Sequence, residues 1–231
     1  MNDRTCIYEN LARVRGEIYQ AAVKAGRDPA DIKIVAVTKR VPVEVIRQAL
    51  LEGIDSLGEN RVQELLDKQP HFEGGVDWHL IGHLQTNKVK AVVGRISLLH
   101  SMDSWRLAIE LDRRSREAGV ITRVLVQVNL SGEKTKFGLA PADTKDFINE
   151  ALGLKGISIK GLMTVAPLAG DPEEVRPVFR DLRLLSERIT KEVSGSEMSL
   201  LSMGMTQDYR VAVEEGANIL RIGTGIFSER N

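Results

Sequence analysis

From residue 33 onward the chain alternates short apolar runs with longer stretches whose apolar residues recur every three to four positions. The runs, rich in Val, Ile and Leu, occupy 34–38, 56–58, 78–81, 98–101, 124–129, 159–163, 200–203 and 219–222. Their length and β-branched content predict buried strands. Between them, 43–52, 62–68, 87–93, 104–118, 142–152, 172–193 and 207–215 carry helical spacing. Several of these end at a glycine (Gly53, Gly94, Gly119, Gly153, Gly216), the residue that most easily takes the left-handed turn closing a helix. A further helix precedes the alternation. Leu11, Val14, Ile18, Ala21, Ala22 and Ala25 share one face over 10–25, and Gly26 stops it.

Eight strands alternating with helices predict a parallel sheet, and eight is the number that closes a (β/α)8 TIM barrel. An open doubly wound sheet would use fewer strands and a glycine-rich turn after the first; here that strand runs into Thr38-Lys39-Arg40-Val41-Pro42. No linker, low-complexity segment or strong repeat interrupts the pattern. The reading is one domain over 1–231, an α/β barrel with an additional N-terminal helix.

Composition narrows the partners. Lys+Arg and Asp+Glu both number 32, and this zero net charge argues against nucleic acid or an anionic membrane surface. The one cysteine, Cys6, excludes an intrachain disulfide and fits a reducing compartment. No apolar run approaches the roughly 20 residues that span a bilayer, and the charged N-terminus is unlike a signal peptide. A soluble, cytoplasmic protein is the expectation.

Barrel chemistry collects where strands end and βα loops begin. Lys39, at the end of the first strand, shares the face of Val35 and Val37 by the period-two rule. That would aim its stem into the barrel, and apolar walls there would favour a neutral amine able to attack a carbonyl. The last two strands end in Ser202-Met203-Gly204-Met205-Thr206 and Arg221-Ile222-Gly223-Thr224-Gly225. Glycines admit an anion to the backbone and hydroxyls donate to it, so these turns predict a phosphate site, with Thr206 as N-cap of the following helix. A lysine nucleophile opposite a phosphate site points to a carbonyl-bearing phosphate.

Here the chain resembles the pyridoxal-phosphate homeostasis proteins, whose barrel is similar to the N-terminal domain of alanine racemase. The resemblance is carried by WHLIGHLQTNKVK (78–90), with AVTK (36–39), LGENRVQE (57–64), EKTKFG (133–138), GLMTV (161–165), LSMGMTQD (201–208) and RIGTGIF (221–227) in the same order. It implies pyridoxal 5′-phosphate (PLP) as cofactor, bound as a Schiff base on Lys39. It implies a phosphate held by Ser202, Gly204, Thr206, Gly223 and Thr224, a ring nitrogen facing Arg221, and a ring lined by Asn60 and Met163. Two departures stand out: Thr206 where Ser is more usual, and Arg40 where relatives carry a small polar residue.

The function so implied is storage, buffering or delivery of PLP, to PLP-dependent apoenzymes among other partners, without catalysis. The alternatives are an amino-acid racemase and a cofactor-free Schiff-base aldolase. A racemase needs acids or bases on both faces of its substrate. The chain stops at Asn231 without the second domain that supplies a tyrosine there, and Tyr8, Tyr19 and Tyr209 fall in helices. A monomer is the default for a lone barrel with an open mouth. His79 and His83 have HxxxH spacing, but Gly82 and the apolar flanks place them on a strand and a turn rather than a zinc-binding helix. No metal is expected, and His83 is expected to hydrogen-bond within the loop after the third strand. Glu133 and Lys136 form either a lid contact or a solvated loop pair.

Overall fold

The computed structural model describes residues 3–72, 74–133 and 136–228. Eight parallel strands form one closed barrel in chain order: β1 (Lys33–Val37), β2 (Ser56–Glu59), β3 (Asp77–Leu80), β4 (Leu98–Met102), β5 (Thr122–Gln127), β6 (Ile157–Met163), β7 (Leu200–Ser202) and β8 (Ile219–Ile222). β1 closes on β8 with Val35 opposite Arg221. The helices that follow the strands are α2 (Val43–Leu51), α3 (Val62–Lys68), α4 (Val89–Val92), α5 (Trp105–Glu117), α6 (Pro141–Ala151), α7 (Arg176–Glu192), α8 (Tyr209–Glu214) and α9 (Thr224–Phe227). They are preceded by α1 (Asp3–Lys24). The barrel and its N-terminal helix match the reading of the hydrophobic pattern.

Side chains alternate across the barrel wall, and this splits the core in two. Val35, Leu98, Leu125, Met163 and Ile219 fill the lumen. Ala36, Leu57, Leu80, Val124, Val126 and Leu162 face outward into the layer beneath the helices, with Ile46, Leu107 and Phe179. Gly161 sits where the β5–β6 register shifts, and a Cβ there would lie 1.8 Å from the Leu200 carbonyl oxygen. Only glycine lets β6 approach β7 so closely.

Some helix starts differ from the periodic pattern. Residues 86–88 form a 3-10 turn before α4, and Pro172–Val175 form another before α7, with Asp171 accepting from the Glu173 N–H at 2.9 Å. β5 ends at Gln127, and Val128 makes only an isolated bridge to Leu139. The short α9 follows β8 directly, where no helix was expected.

The helix α1 packs along α8 and α9 and buries Ile7, Leu11, Val14 and Ile18. Each such side chain is worth roughly 1.5–3 kcal/mol when fully buried, enough to hold a helix that is otherwise charged. Polar bonds fix its register. Asn10 Nδ2 donates to the carbonyls of Ile226 (3.0 Å) and Ser228 (3.1 Å), and Arg13 donates to that of Gly225 (3.2 Å). These carbonyls lie in and just after α9, where no further helical turn donates an N–H to them.

Candidate functional site

At the C-terminal ends of the strands, a cleft of about 270 Å3 opens between β1, β8 and the loops after β6 and β7. Val37, Leu168, Thr206, Asp208, Arg221, Gly223 and Thr224 lie along it. A larger hollow of about 510 Å3 lies at the opposite end of the barrel, beside Arg15, Lys33 and Asp55. Among the described residues no glycine–hydroxyl turn converges there, and the candidate site is the smaller cleft.

The cleft is built around a buried cation. Arg221 is 5% exposed; its Nη1 donates to Ser202 Oγ at 2.5 Å and its Nη2 to the Thr164 carbonyl at 2.8 Å. Burial lowers its pKa to about 10, partly opposed by the charge of Asp208. At either value the guanidinium remains protonated at neutral pH and can only donate. The Asp208 carboxyl is pushed up by burial, while its Oδ1 accepts the Met205 N–H at 2.6 Å and closes the turn after β7.

Tight backbone contact shapes the two turns. Gly204 has φ +91°, and a Cβ would meet the Ala212 Cβ at 2.6 Å. A Cβ on Gly223 would reach Val37 at 3.4 Å, so the strand-eight turn presses against the end of β1. Thr206 Oγ1 accepts the Gly225 N–H at 3.1 Å, which ties the turns together and leaves the hydroxyl hydrogen to point elsewhere. Thr206 therefore does not cap α8; Asp208 occupies the cap position and makes no side-chain cap bond.

The candidates divide by position. Thr206, Arg221, Gly223 and Thr224 line the cleft. Gly204 is buried beneath it against α8. Ser202 and Met163 point into the lumen, both fully enclosed, so the Ser202 hydroxyl is committed to Arg221 rather than facing the turn. Asn60 is exposed after β2, and its main-chain carbonyl comes so close to Gly82 that a Cβ there would lie 2.2 Å from it.

Lys39 corrects an expectation: it is exposed, not set among apolar walls. The strand ends at Val37, so the period-two rule no longer governs a residue two places on. The chain then turns through Arg40, whose φ of +61° explains why a small polar residue suits that position better. The Arg40 N–H donates to Glu64 at 3.0 Å.

Beneath this turn lies a polar cluster that sequence reasoning missed. Glu59 is fully buried; its Oε1 accepts from Thr38 Oγ1 (2.6 Å) and from Lys68 Nζ (2.6 Å), while Lys68 also donates to the Thr38 carbonyl (2.6 Å). The hydroxyl and the carbonyl of Thr38, the residue before Lys39, are thereby fixed. The signal was Glu59 itself, a carboxylate ending a strand whose alternation points it outward into the helix layer.

His79 and His83 go to separate partners. His79 is in the lumen against His100. His83, in the loop after β3 as expected, hydrogen-bonds Asp103 at 3.0 Å and stacks on Phe137 at 3.9 Å. Among the described residues no three His, Cys, Asp or Glu side chains gather as metal ligands. Glu133 and Lys136 pair at 2.7 Å, while residues 134 and 135 of the EKTKFG motif lie outside the described residues.

A parallel barrel with a lysine after its first strand and a glycine–hydroxyl turn after its last defines a class. The sequence model of the alanine racemase N-terminal domain matches residues 10–231. The pyridoxal phosphate homeostasis protein of Aquifex aeolicus is 43% identical over 223 residues, covering 96% of this chain and 97% of that protein. The protein of the same name from Vibrio alginolyticus is 34% identical over 231 residues, covering 97% and 98%. PipY of Synechococcus elongatus, solved with PLP bound, superposes with a TM-score of 0.85 at 34% identity, covering 96% of this chain and all of that one. The chain belongs to the pyridoxal phosphate homeostasis protein family.

Proposed function

We propose that this chain, as a single domain, binds PLP through Lys39 and stores or delivers it without catalysing amino-acid chemistry. The observation that carries the reading is Arg221, a buried and permanently charged donor beside a glycine–hydroxyl turn, one strand from an exposed lysine. The relatives named above support it: two are named for pyridoxal phosphate homeostasis and one was solved with PLP.

The residues fit the group. Gly204 keeps a side chain out of a place where a Cβ would collide, Gly223 leaves the end of β1 open to the backbone, and Thr206 has a hydroxyl hydrogen to spare. In this reading Thr206, Thr224 and the backbone at Gly223 hold the phosphate, with Gly204 and Ser202 supporting the turn from below. Arg221 donates to the ring nitrogen, Asn60 edges the ring and Met163 lies beneath it in the lumen. When bound, PLP supplies an aldehyde carbon to which amines add and a ring that withdraws electrons best when its nitrogen is protonated. Arg221 cannot supply that proton readily, so the site holds the group while leaving its electron sink weak.

Exposure of Lys39 suits delivery, because an incoming amine reaches the same carbon. The tyrosines offer no base at the cleft. Tyr8 and Tyr19 are exposed on α1, and the Tyr209 hydroxyl donates to Glu17 at 2.7 Å. Burial and that carboxylate together push the Tyr209 hydroxyl pKa upward. No described helix is long and apolar enough to cross a membrane. A cytoplasmic monomer that hands PLP to apoenzymes, with no nucleic-acid partner, completes the proposal.

Titration with PLP and with unphosphorylated pyridoxal tests it. PLP should bind more tightly than pyridoxal and be fixed to Lys39 by borohydride, as read by peptide mass. Lys39→Ala should lose the fixed adduct and keep weaker, reversible binding. Equal affinity for the two ligands, or fixation elsewhere, would overturn the assignment.

A further inference from the structure

A polar chain crosses the lumen that binding of PLP does not by itself explain. His79 Nδ1 lies 2.8 Å from His100 Nε2, His100 Nδ1 lies 2.9 Å from Ser202 Oγ, and Arg221 Nη1 lies 2.5 Å from the same oxygen. The four residues come from β3, β4, β7 and β8, and none is more than 5% exposed.

The arginine sets the direction of every bond. A guanidinium only donates, so Ser202 Oγ accepts from it. The Ser202 hydroxyl hydrogen is buried and needs an acceptor, and among the described residues His100 Nδ1 is the one in place. His100 then carries its hydrogen on Nε2 and donates to His79 Nδ1, which leaves the His79 hydrogen on Nε2. Reversed polarity would aim His100 Nδ1–H at an oxygen that already accepts, and strand the hydroxyl hydrogen in the core. Neutral imidazoles are required, and burial provides them, holding His79 at about 4 and His100 well below its usual value. Among the described residues no carboxylate hydrogen-bonds Arg221, so Ser202 and the Thr164 carbonyl alone orient its plane.

We propose that His79, His100 and Ser202 form a positioning relay that fixes which N–H groups Arg221 presents to the PLP ring. The histidines act through Ser202 and touch neither cofactor nor substrate. This rests on the reading above that the ring nitrogen faces Arg221.

Nitrogen-15 NMR of the histidine-labelled full chain tests the relay first without added PLP. Between pH 6 and 8, His79 and His100 should both read as unprotonated at Nδ1 and protonated at Nε2. Ser202→Ala should shift His100 towards the other tautomer, and Ser202→Thr, which keeps the hydroxyl, should restore it. With PLP, His100→Phe should weaken binding about tenfold, the loss expected when a hydrogen bond to a charged group goes slack, and should move the visible absorption band. His100→Asn, which keeps an acceptor near the Nδ1 position, should return the affinity to within about twofold of wild type and the band to its place. A wild-type His100 protonated at Nδ1, or identical bands and affinities in wild type, His100→Phe and Ser202→Ala, would overturn the relay. If wild type binds no PLP, the functional reading fails, and the tautomers of the unloaded chain still decide the bond directions.

Discussion

Lys68→Met removes the cation from a carboxylate that has no other ion pair among the described residues. Glu59 is fully buried, Lys68 is 13% exposed at its side chain, and the two are 2.6 Å apart. The second oxygen of Glu59 already lacks a hydrogen-bond partner among the described residues. Deleting one member of a buried pair costs about 3–5 kcal/mol, because the survivor keeps its desolvation penalty without compensation. At this size that corresponds to a fall in Tm of about 6–20 °C. Urea unfolding followed by far-ultraviolet circular dichroism should show the midpoint falling with an unchanged slope. Glu59→Met added to Lys68→Met should recover at least half the loss, since both charges are gone and the volumes are similar. The exposed pair Lys145–Glu192 provides the control, and its loss should cost under about 1 kcal/mol. A comparably small cost for Lys68→Met would refute the reasoning.

Gly204→Ala should destabilise the chain by about 2–4 kcal/mol in the same urea assay, combining left-handed backbone strain with a 2.6 Å contact to Ala212. Stability should also fall on acidification. His79 is held at about 4 when folded against 6.5 when free, so the unfolded chain takes its proton first. That contribution is complete above about pH 6.5, declines as pH falls towards 4, and amounts to about 3 kcal/mol, with His100 adding in the same direction; a flat urea midpoint from pH 7 to 4 would contradict it. Holo-protein incubated with L-alanine in deuterated water should exchange its α-proton far more slowly than about 1 s−1, as followed by proton NMR; enzymatic exchange would revive the racemase alternative.

The hydrophobic pattern carried the barrel because alternation and periodicity are local properties, and strands such as β8 fall where the apolar run falls. The site was less legible where tertiary contact overrides local rules. Lys39 was placed by extending the strand period past Val37, but the Val41 N–H donates to the Thr38 carbonyl at 2.9 Å and closes a turn through Lys39 and Arg40 that ends the period. Ser202 was read as a turn hydroxyl because it adjoins Gly204, yet its side chain follows the strand and enters the lumen. The same alternation applied to His79 and Arg221 would have pointed both inward. Nothing in the spacing says that residues more than 100 positions apart, such as His100 and Ser202, share a proton.

The bonds from α1 to α9 have a consequence for synthesis. Asn10 reaches the Ile226 carbonyl across 216 positions, and β1 closes on β8 across nearly as many. A ribosome extends the chain from its N-terminus, so α1 and β1 emerge long before their partners exist. Until β8 and α9 have been made, the first strand keeps an open edge and Arg221 has no lumen to enter. The lysine is thus exposed early on a growing chain, while the glycine–hydroxyl turns after β7 and β8 and the buried guanidinium come last and together. On the proposed reading, a partly made chain would meet PLP only as an amine meets an aldehyde, and retention would begin when the ring of strands shuts.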